Sequence, residues 1–349
     1  MTLLLSNNDA EELLTMPDCI AALEKAYAEL AQGMSVSAVN SDAITPTKTP
    51  DAIYQLKLMG GVIPGLGVGA LRFNSDVIAY RNKRQVKMAL APGARYTGLV
   101  ILFSIDTGEP LAIIPDGVLQ RMRVGAASAI GAKHLARADS RTVGLIGAGW
   151  QAGAQVMAIT ATHRIATVRC YSPTRDKRVA FCREMSERTG VTVLAVDSAE
   201  EAVRGADIVL CATNTSQQVF FDHWLEPGMH VGTIRGAELN AAVVKKANIV
   251  VIHDRSLRGV SAVSKSITLP EDRIAIAGMP DIDRLPSLAE LVAGITPGRA
   301  HAGQTTCFLN LRGIGLQFAA VGDALYRKAL AAGRGRELPT DWFTEDVVP

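Results

Sequence analysis

The chain has 349 residues, of which 48% are hydrophobic, so it is long enough for two domains or one large domain around a substantial core. Its formal net charge is only +2, and its lysines and arginines are scattered, which argues against a nucleic-acid-binding surface. The first residues lack the basic start of a signal peptide, and no apolar run reaches membrane-spanning length. We therefore expect a soluble, cytoplasmic protein without a membrane partner.

The cysteines and histidines show no metal-binding spacing. There is no CxxC pair, and the six histidines do not recur at i, i+3 or i+4. We expect the cysteines to be small buried hydrophobic residues in a reducing compartment, and the protein to hold no metal. They are Cys19, Cys170, Cys182, Cys211 and Cys307.

The first 140 residues predict a helix, a sheet and a second helix. Apolar residues between Met16 and Gly33 recur at helical spacing, and Gly33 is a typical helix-ending residue. From Ile53 to Ile113, short β-branched and apolar runs are separated by Gly, Pro and Asp-Thr-Gly turns, which predicts an antiparallel or mixed sheet. The Ala-rich run "GVLQRMRVGAASAIGAKHLARA" then predicts a long helix.

The next region alternates strand and helix patterns. Strands are expected in "TVGLIG", "ATVRCYS", "VTVLAV", "DIVLCAT", "HVGTIR" and "ANIVVIHD". This alternation predicts a doubly wound parallel sheet. Near the end, "CFLNLRGIGLQFAAVGDALYRKALAAG" predicts one long amphipathic helix, and a polar, peripheral tail follows it.

A glycine-rich turn, "GLIGAGWQAG", joins the first of these strands to its helix. Gly147 allows a sharp turn, Gly149 allows the backbone to approach a pyrophosphate, and Ala152 allows close packing of helix and strand. A tight turn without a ligand would show the same pattern. The strand, the helix and the alternation that follows together favour a dinucleotide site at the helix N-terminus. The other residues of this turn are Ala148, Trp150 and Gln151.

The end of the second strand bears on the choice between NAD and NADP. A NAD site carries an acidic residue there for the ribose, whereas "CYSPTRDKR" offers Ser172, Thr174 and Arg175, which suit a 2′-phosphate. A solvated loop that opens the next helix would look the same, and Asp176 keeps NAD open. We expect NADP(H) to be preferred, with NAD(H) possible. In "CATNT", the fourth strand ends with residues suited to the ribose and nicotinamide: Ala212, Thr213 and Asn214.

Four ordered segments resemble the ornithine cyclodeaminase/mu-crystallin family, which includes ketimine reductases and an archaeal alanine dehydrogenase. They are "DTGEPLAIIPDG", "RVGAASAIGAKHLAR" leading into "VGLIGAGWQA", "PGMHVGTIRGAEL" and "RGIGLQFAAVGDALY". The resemblance spans nearly the whole chain and implies an α/β protein that forms a homodimer. It implies a Rossmann-type doubly wound parallel sheet in residues 129–314. An α+β substrate-binding and dimerisation domain would comprise residues 1–128 and 315–349.

The resemblance also implies hydride transfer at a carbon that bears nitrogen beside a carboxylate. A ketimine reductase reduces a C=N bond with NADPH. A cyclodeaminase oxidises an amino acid, cyclises the imine with loss of ammonia and returns the hydride. Both need cations to hold a small anionic imino or amino acid, and the cyclodeaminase also needs an acid/base group near the distal amine.

Carried over residue by residue, the resemblance gives a partial set of cations. Arg123 matches the family arginine at an "R-T-x-A-A" helix start and is predicted to bind the carboxylate, while Arg121 beside it could be merely solvated. The family lysine falls at Leu71. Arg72 is then expected on the opposite face of the strand, so that it replaces the lysine only after a bulge or register shift. Lys57 is a further candidate, and an edge-strand charge reaching solvent is the alternative for both Lys57 and Arg72.

Other positions depart further from the family. An upstream arginine has no clear counterpart, with Asn40 or Ser41 nearby. Glu238 is the candidate for the family's acidic residue, displaced by one position, and Arg235 replaces a glycine close to the nicotinamide. Phe318 stands where the last helix usually has an aspartate.

The candidate catalytic residues are therefore Lys57, Arg72, Arg123 and Glu238. Because the lysine and the acid are displaced, the leading hypothesis is an NADP-preferring imine or amino-acid oxidoreductase. A cyclodeaminase lyase with NAD is the second hypothesis, and a nucleotide-binding homologue without catalysis is the third. The surplus of cations suggests a substrate more anionic than ornithine, such as an imino dicarboxylate.

Overall fold

The computed structural model describes residues 1–81, 84–90, 95–256, 259–266, 276, 278–279 and 281–345. Within these residues the strands form one sheet of ten strands and a second of seven. Helices cover one side of the first sheet and both sides of the second. None of the helices in this described part of the chain is long and apolar enough to cross a membrane.

The first sheet is mixed and is built largely from the N-terminal third. Its strands are β1 (Thr2–Leu4), β2 (Val36–Ser37), β3 (Ser41–Pro46), β4 (Ala52–Ile63), β5 (Val68–Arg81), β6 (Arg84–Lys87), β7 (Thr97–Ser104), β8 (Pro110–Pro115), β15 (Val260–Val263) and β17 (Arg336–Leu338). Their order is β15-β3-β4-β5-β7-β8-β1-β17, with β2 beside β4 and β6 beside β5. The mixed sheet predicted between Ile53 and Ile113 is thus confirmed.

The strand β15 reaches this sheet from a distant part of the sequence. It pairs in parallel with β3, with Val260 opposite Ser41 and Val263 opposite Ile44. Its residues fall inside the range 129–314, which the sequence predicted for the dinucleotide-binding domain. The first sheet therefore includes a strand from that range.

The second sheet is entirely parallel. Its strands are β9 (Thr142–Ile146), β10 (Thr167–Tyr171), β11 (Thr192–Ala195), β12 (Ile208–Cys211), β13 (His230–Thr233), β14 (Ile249–Ile252) and β16 (Thr306–Leu309). The order β11-β10-β9-β12-β13-β16-β14 is that of a doubly wound fold, as predicted. The strand order reverses between β9 and β12, where such folds bind ligands at the carboxyl ends of the strands.

The helices of the described residues include every predicted one, with one corrected start, and three short ones that were not predicted. They are α1 (Asn7–Leu13), α2 (Met16–Ala31), α3 (Asp116–Leu135), α4 (Trp150–Thr162), α5 (Arg175–Thr189), α6 (Ala199–Val203), α7 (Ala241–Lys246), α8 (Leu288–Val292) and α9 (Gly315–Ala331). The predicted helix "CFLNLRGIGLQF…" starts only at Gly315, because Thr306–Leu309 forms β16. All four of those residues are buried, and periodicity cannot distinguish such a short apolar run from a buried helix segment.

Helix α3 connects the two sheets. It contacts α2, α4, α9 and β16, and nearly all of its residues are buried. Its small residues permit this packing: a Cβ added at Gly125 would lie 2.5 Å from the carbonyl oxygen of Ala154 in α4. The helix runs without a break through position 128, where the predicted domain boundary falls.

Helix α9 covers the face of β4, β5 and β7 that we call the inner face. Glycines permit its close approach, since a Cβ at Gly315 would lie 2.0 Å from the carbonyl oxygen of Gly60. A Cβ at Gly61 would lie 2.2 Å from the backbone nitrogen of Leu316. The start of α9 is thereby fixed on β4, directly beside the cavity described next.

Candidate active site

The predicted glycine turn lies at the reversal of strand order in the second sheet. Gly147 has a φ of 122°, and a Cβ there would lie 2.2 Å from the carbonyl oxygen of Ala212. Its own N–H donates to the carbonyl of Tyr171 at 2.8 Å. In contrast, a Cβ at Gly149 would meet no atom within 4 Å. Gly147 is therefore required by the protein itself, whereas Gly149 leaves open space at the start of α4.

The other residues of the turn differ in exposure. Ala152 is buried, and the Oε1 atom of Gln151 is buried without a hydrogen-bond partner. Trp150 is 57% exposed and stacks on the guanidinium of Arg121, with 3.8 Å between the guanidinium carbon and the ring centroid. Arg121 also binds the carboxylate of Glu11 at 2.9 Å. The alternative that Arg121 is merely solvated is therefore wrong.

The loop after β10 carries the residues proposed to distinguish NADP from NAD. Thr174 and Arg175 are exposed, and Ser172 is half-buried. A residue that the sequence analysis missed, Arg178, donates to the carbonyl of Ser172 at 2.6 Å and to Asp197 at 2.8 Å. Arg178 is buried, and these two hydrogen bonds hold the loop in its conformation. Arg178 stands one helical turn after Arg175 in α5, and this spacing could have identified it from the sequence.

Glu238 lies between the carboxyl ends of β12 and β13 and is fully buried. Its Oε1 accepts from the backbone nitrogen and hydroxyl of Thr213, at 2.6 and 2.8 Å. Its Oε2 accepts from the hydroxyl of Thr233 at 2.6 Å and from the backbone nitrogens of Ile234 and Arg235 at 3.1 Å each. Burial raises the pKa of Glu238, while these hydrogen bonds favour its charged form. The side chain holds the two strand ends together and does not line the cavity.

A cavity of about 440 Å³ lies between the inner face of the first sheet and the carboxyl edge of the second. The first sheet supplies polar side chains at every second position, because alternate residues of a strand share a face. Its residues in the lining are Asp42, Ile44, Gln55, Lys57, Met59, Arg72, Asn74, Asp76, Ile78, Lys87 and Ser261, and Asn40, directly before β3, lines the cavity beside them. The remaining lining residues are Gln120, Arg123, Ile234, Arg235, Leu311, Arg312 and Gly313. Of the four predicted catalytic residues, the cavity thus brings together Lys57, Arg72 and Arg123.

Arg72 faces the cavity, and Leu71 points to the opposite, outer face of the sheet. Leu71 is 37% exposed, whereas Arg72 is buried. The register of β5 is continuous here, with Arg72 opposite Met59 on β4 and Val100 on β7. The expectation that Arg72 needs a bulge or register shift to reach the site is therefore corrected. The guanidinium binds the Asp116 carboxylate at 2.6 and 2.7 Å.

Arg123 is buried, and its hydrogen bonds go to uncharged side chains. Its guanidinium donates to the amide oxygens of Gln317 at 3.0 Å and Gln120 at 2.7 Å, and its Nε has no partner. Among the described residues, no carboxylate forms an ion pair with it. Burial lowers the pKa of Arg123 to about 9, and the positive charge of Arg72 contributes to the shift. An anion bound here would relieve this unfavourable burial of charge.

Phe318 contacts both arginines. Its ring centroid lies 5.0 Å from the guanidinium carbon of Arg72 and 5.3 Å from that of Arg123. The aromatic ring attracts both cations without neutralising either. The phenylalanine that replaces the family's aspartate thus keeps the positive charge of Arg123 available.

Two further cations of the cavity, which the sequence analysis did not name, each lie near a carboxylate. Lys87 pairs with Asp76 at 2.7 Å, and Arg312 lies 3.4 Å from Asp42. Arg235 lines the cavity with its pKa lowered by burial, and no described carboxylate pairs with its guanidinium. The cavity therefore has excess positive charge, but less than the number of its lysines and arginines implies.

A relay of two hydrogen bonds fixes the segment between β16 and α9, which carries Arg312. The backbone carbonyl of Arg312 accepts from Nδ1 of His253, whose Nε2 therefore accepts from the hydroxyl of Tyr27 at 2.5 Å. Burial lowers the pKa of His253 to about 4, which keeps the ring neutral. Tyr27 belongs to α2, so the relay joins the helical layer of the first sheet to the second sheet. No group of three or more His, Cys, Asp or Glu residues suited to a metal ion occurs among the residues that the structure describes.

The chain is similar to known proteins over nearly its full length. Residues 1–332 match the model of the ornithine cyclodeaminase/mu-crystallin family. A Δ1-pyrroline-2-carboxylate reductase of Bacillus cereus is 28% identical over 343 residues, which cover 96% of this chain and 99% of that protein. An ornithine cyclodeaminase of Agrobacterium fabrum is 34% identical over 162 residues, 44% of this chain and 46% of that protein.

A solved structure extends the comparison. The Thermococcus litoralis Δ1-pyrroline-2-carboxylate reductase in complex with NADH and L-proline superposes with a TM-score of 0.78 at 26% identity. The match covers 97% of this chain and all of that one. The fold of this chain is therefore shared with that reductase.

Proposed function

Because the chain belongs to the ornithine cyclodeaminase/mu-crystallin family, we propose that it is a nicotinamide-dinucleotide-dependent oxidoreductase of small imino acids. In this proposal it reduces a C=N bond beside a carboxylate, and in reverse oxidises the amino acid. The observation that carries the proposal is the buried guanidinium of Arg123, which has no carboxylate partner among the described residues. It lies in a cavity that reaches the carboxyl edge of the parallel sheet.

The crevice at the glycine turn fits a dinucleotide. The space beside Gly149 admits a pyrophosphate, and the N–H groups at the start of α4 face it. The unpartnered Oε1 of Gln151 offers an acceptor for a hydroxyl of the ribose. A bound nicotinamide dinucleotide would supply the hydride. The ends of β12 and β13, including Ala212, Thr213 and Asn214, would border its nicotinamide side.

The residues of this chain then bind and orient the substrate. Arg123 holds the carboxylate, while Gln120 and Gln317 hold the guanidinium in place from two sides. Arg72 contributes positive potential, but its own hydrogen bonds go largely to Asp116. Such fixed groups accelerate a reaction by orienting the reacting carbon before hydride transfer.

We assign Glu238 a positioning role in place of the acid/base role that the resemblance implied. Both of its oxygens are occupied by donors from Thr213, Thr233 and backbone N–H groups. Holding the end of β13, it sets the backbone of Arg235 at the edge of the cavity. A cyclodeaminase would need a different acid for the distal amine.

The cyclodeaminase hypothesis remains a testable alternative because of the similarity to the Agrobacterium fabrum enzyme. Purified protein would be incubated with ornithine and a nicotinamide cofactor while ammonia and nicotinamide absorbance are followed. Ammonia release without net absorbance change would establish a lyase. Consumption of reduced cofactor with a cyclic imino acid, without ammonia release, would establish the reductase.

The structure alters the hypothesis of a dicarboxylate substrate. Arg72, Lys87 and Arg312 are three of the six cations that line the cavity, and each has a carboxylate nearby, so half of these positive charges are already compensated. We therefore propose a substrate with one carboxylate. Efficient turnover of an imino dicarboxylate together with failure of every monocarboxylate would reverse this choice.

We propose a preference for NADP(H) on the basis of the loop after β10. The exposed Arg175 offers a guanidinium for a 2′-phosphate, and Tyr171 ends the strand where a NAD site carries an acid. The related Thermococcus structure contains NADH, so the preference needs direct measurement. Arg175→Ala should reduce the ratio of NADPH to NADH affinity about tenfold, as expected for one charge-assisted contact. Arg183→Ala, on the exposed side of the same helix, is the matched control.

We propose that the protein is a cytoplasmic homodimer. The outer face of β4 and β5 exposes Leu58, Val62 and Leu71 by 37–39%, an apolar surface typical of an interface between subunits. Leu71→Lys should convert a dimer to a monomer in analytical ultracentrifugation. Leu194→Lys, at an exposed position on the edge strand β11, should not. The five cysteines are free and buried, which supports a reducing compartment.

A further inference from the structure

One wall of the cavity presents hydrogen-bond acceptors that no described residue satisfies. Asn40 and Asp42 lie two positions apart on extended backbone, so their side chains share the inner face. They are 2% and 5% exposed, and both line the cavity. The Oδ1 atoms of both residues are buried without a hydrogen-bond partner.

The remaining polar atoms of these two side chains are engaged, which fixes the direction of the unpartnered oxygens. The Asn40 Nδ2 donates to the carbonyl of Gly313 at 2.9 Å. The Asp42 Oδ2 lies 3.4 Å from Nη2 of Arg312. A buried acceptor left without a donor is costly, so this wall favours a ligand that brings an N–H or O–H group.

The acceptors lie close to the proposed carboxylate anchor. Gly313 is the link, because its carbonyl binds Asn40 and a Cβ on it would lie 2.2 Å from Nη1 of Arg123. The backbone of Gly313 therefore lies between the guanidinium of Arg123 and the side chain of Asn40. A single small imino acid can reach both, with its carboxylate on Arg123 and a substituent on the wall.

We propose that Asn40 and Asp42 select substrates that carry a hydrogen-bond donor, a hydroxyl or an amine, on the end remote from the carboxylate. This inference rests on the proposed function and names the substrate class within it. Because Arg312 already balances the charge of Asp42, a neutral hydroxyl satisfies the wall as fully as an ammonium group does. The site thus distinguishes substituted imino acids from the plain ring compound.

The experiment is a calorimetric measurement of binding to the full-length protein in the presence of saturating NADPH, which cannot react with an amino acid. The three probes are L-proline, a ring-hydroxylated proline and a ring-aminated proline. We expect wild-type protein to bind at least one substituted proline about tenfold more tightly than L-proline, the gain typical of satisfying a buried acceptor. Asp42→Ala should bring the ratio of the dissociation constants to about one.

Two further variants separate the possible outcomes. Asp42→Asn retains the shape and one acceptor oxygen, so preference for the hydroxylated probe should persist whereas preference for the aminated probe should fall. Asp76→Asn is the matched control, because Asp76 lines the same cavity but pairs with Lys87, and it should keep the wild-type ratio. Melting temperatures verify that each variant is folded.

Equal binding of all three probes by wild-type protein would overturn the inference while leaving the proposed function intact. A preference that survives in folded Asp42→Ala protein would also overturn it. Failure of all three probes and of cyclic imines to bind or react would instead contradict the proposed function, and the inference with it.

Discussion

The crevice at the glycine turn and the cavity that contains Arg123 both lie at the carboxyl edge of the second sheet but are built by different means. The crevice relies on backbone: a glycine with positive φ, open space at Gly149 and the start of α4. The cavity relies on charged side chains that alternate along β3, β4 and β5. Backbone recognition is tied to the fold, whereas side-chain recognition can change by single substitutions.

Two arginines of the cavity also differ in how their charge is compensated. Arg72 and Arg123 contact the same ring of Phe318, but only Arg72 has a carboxylate partner. The pair of Arg72 with Asp116 is therefore structural in character, and the unpaired Arg123 is suited to a ligand. Breaking the Arg72–Asp116 pair should therefore mainly lower stability, whereas replacing Arg123 should mainly lower activity.

The largest effect is expected from breaking the paired arginine. Asp116→Ala removes the acceptor of Arg72 and Asn74 and leaves a buried cation near Arg123, so unfolding free energy should fall by about 3–5 kcal/mol. Denaturant titration measures this change. Asp139→Ala, whose side chain is 85% exposed in an ion pair with Arg137, is the control and should cost less than about 1 kcal/mol. If both variants lost a similarly small unfolding free energy, the pair of Arg72 with Asp116 would not be structural, and the two arginines would not differ in this way.

The unpaired arginine should show the reverse pattern. Arg123→Leu removes the carboxylate anchor, so kcat/KM should fall about 100-fold, the loss typical of a charge-assisted contact in a buried site. Stability should stay the same or rise, because an uncompensated buried charge is lost. Steady-state kinetics and a melting curve measure the two effects, with Arg183→Leu on the surface as control. A large drop in melting temperature would mean that Arg123 is structural.

The two glycines of the turn should differ in a similar way. Gly147→Ala introduces a Cβ that collides with Ala212 at an unfavourable φ, and should lower stability by about 1–3 kcal/mol. Gly149→Ala should leave the melting temperature unchanged and weaken dinucleotide binding, because its Cβ enters open space needed by the ligand. Fluorescence titration and thermal melting distinguish these outcomes. Equal stability losses would show that both glycines serve the fold alone.

The smallest effect concerns the relay of Tyr27, His253 and Arg312, which joins the helical layer of the first sheet to the second sheet. Because burial lowers the pKa of His253 to about 4 from an ordinary value of 6.5, the unfolded chain binds more protons between these values. Stability contributed by neutral His253 should therefore be complete above pH 6.5 and decrease as the pH falls toward 4. At pH 5.5 the loss is about 1 kcal/mol from this residue. His253→Gln should reduce the pH dependence of the melting temperature, and an unchanged dependence would exclude this residue as its source.

The sequence was more informative about the crevice than about the cavity. Parallel strands, the glycine turn and α4 follow local rules, so their positions could be predicted from periodicity and spacing. The cavity depends on strand register and on contacts between distant segments, such as Asn40 with Gly313. Whether Leu71 or Arg72 faces the cavity depends on strand register, because a shift of one residue exchanges the two faces of a strand. The sequence pattern does not determine that register.

Some missed residues nevertheless left a signal. Asp42 and Ile44 alternate on β3, and Gln55 and Met59 stand at the same spacing on either side of Lys57 on β4. Polar residues at period two on buried strands indicate a lined cavity. The strand β16 gave no such signal, because a short apolar run fits both helix and strand. Glu238 was found from the resemblance, but its burial beneath two strand ends could not be inferred from its position in the chain.

The measurement that tests the central claim most directly is the oxidation of NADPH and NADH by wild-type protein and Arg123→Leu with Δ1-pyrroline-2-carboxylate and its ring-substituted analogues. We expect turnover by the wild-type protein and a fall in kcat/KM of about 100-fold in the variant. Cofactor binding should be equal in the two proteins. Equal turnover by both would contradict the assignment of Arg123 as the carboxylate anchor, and tight cofactor binding without turnover of any imine would contradict the proposed reductase.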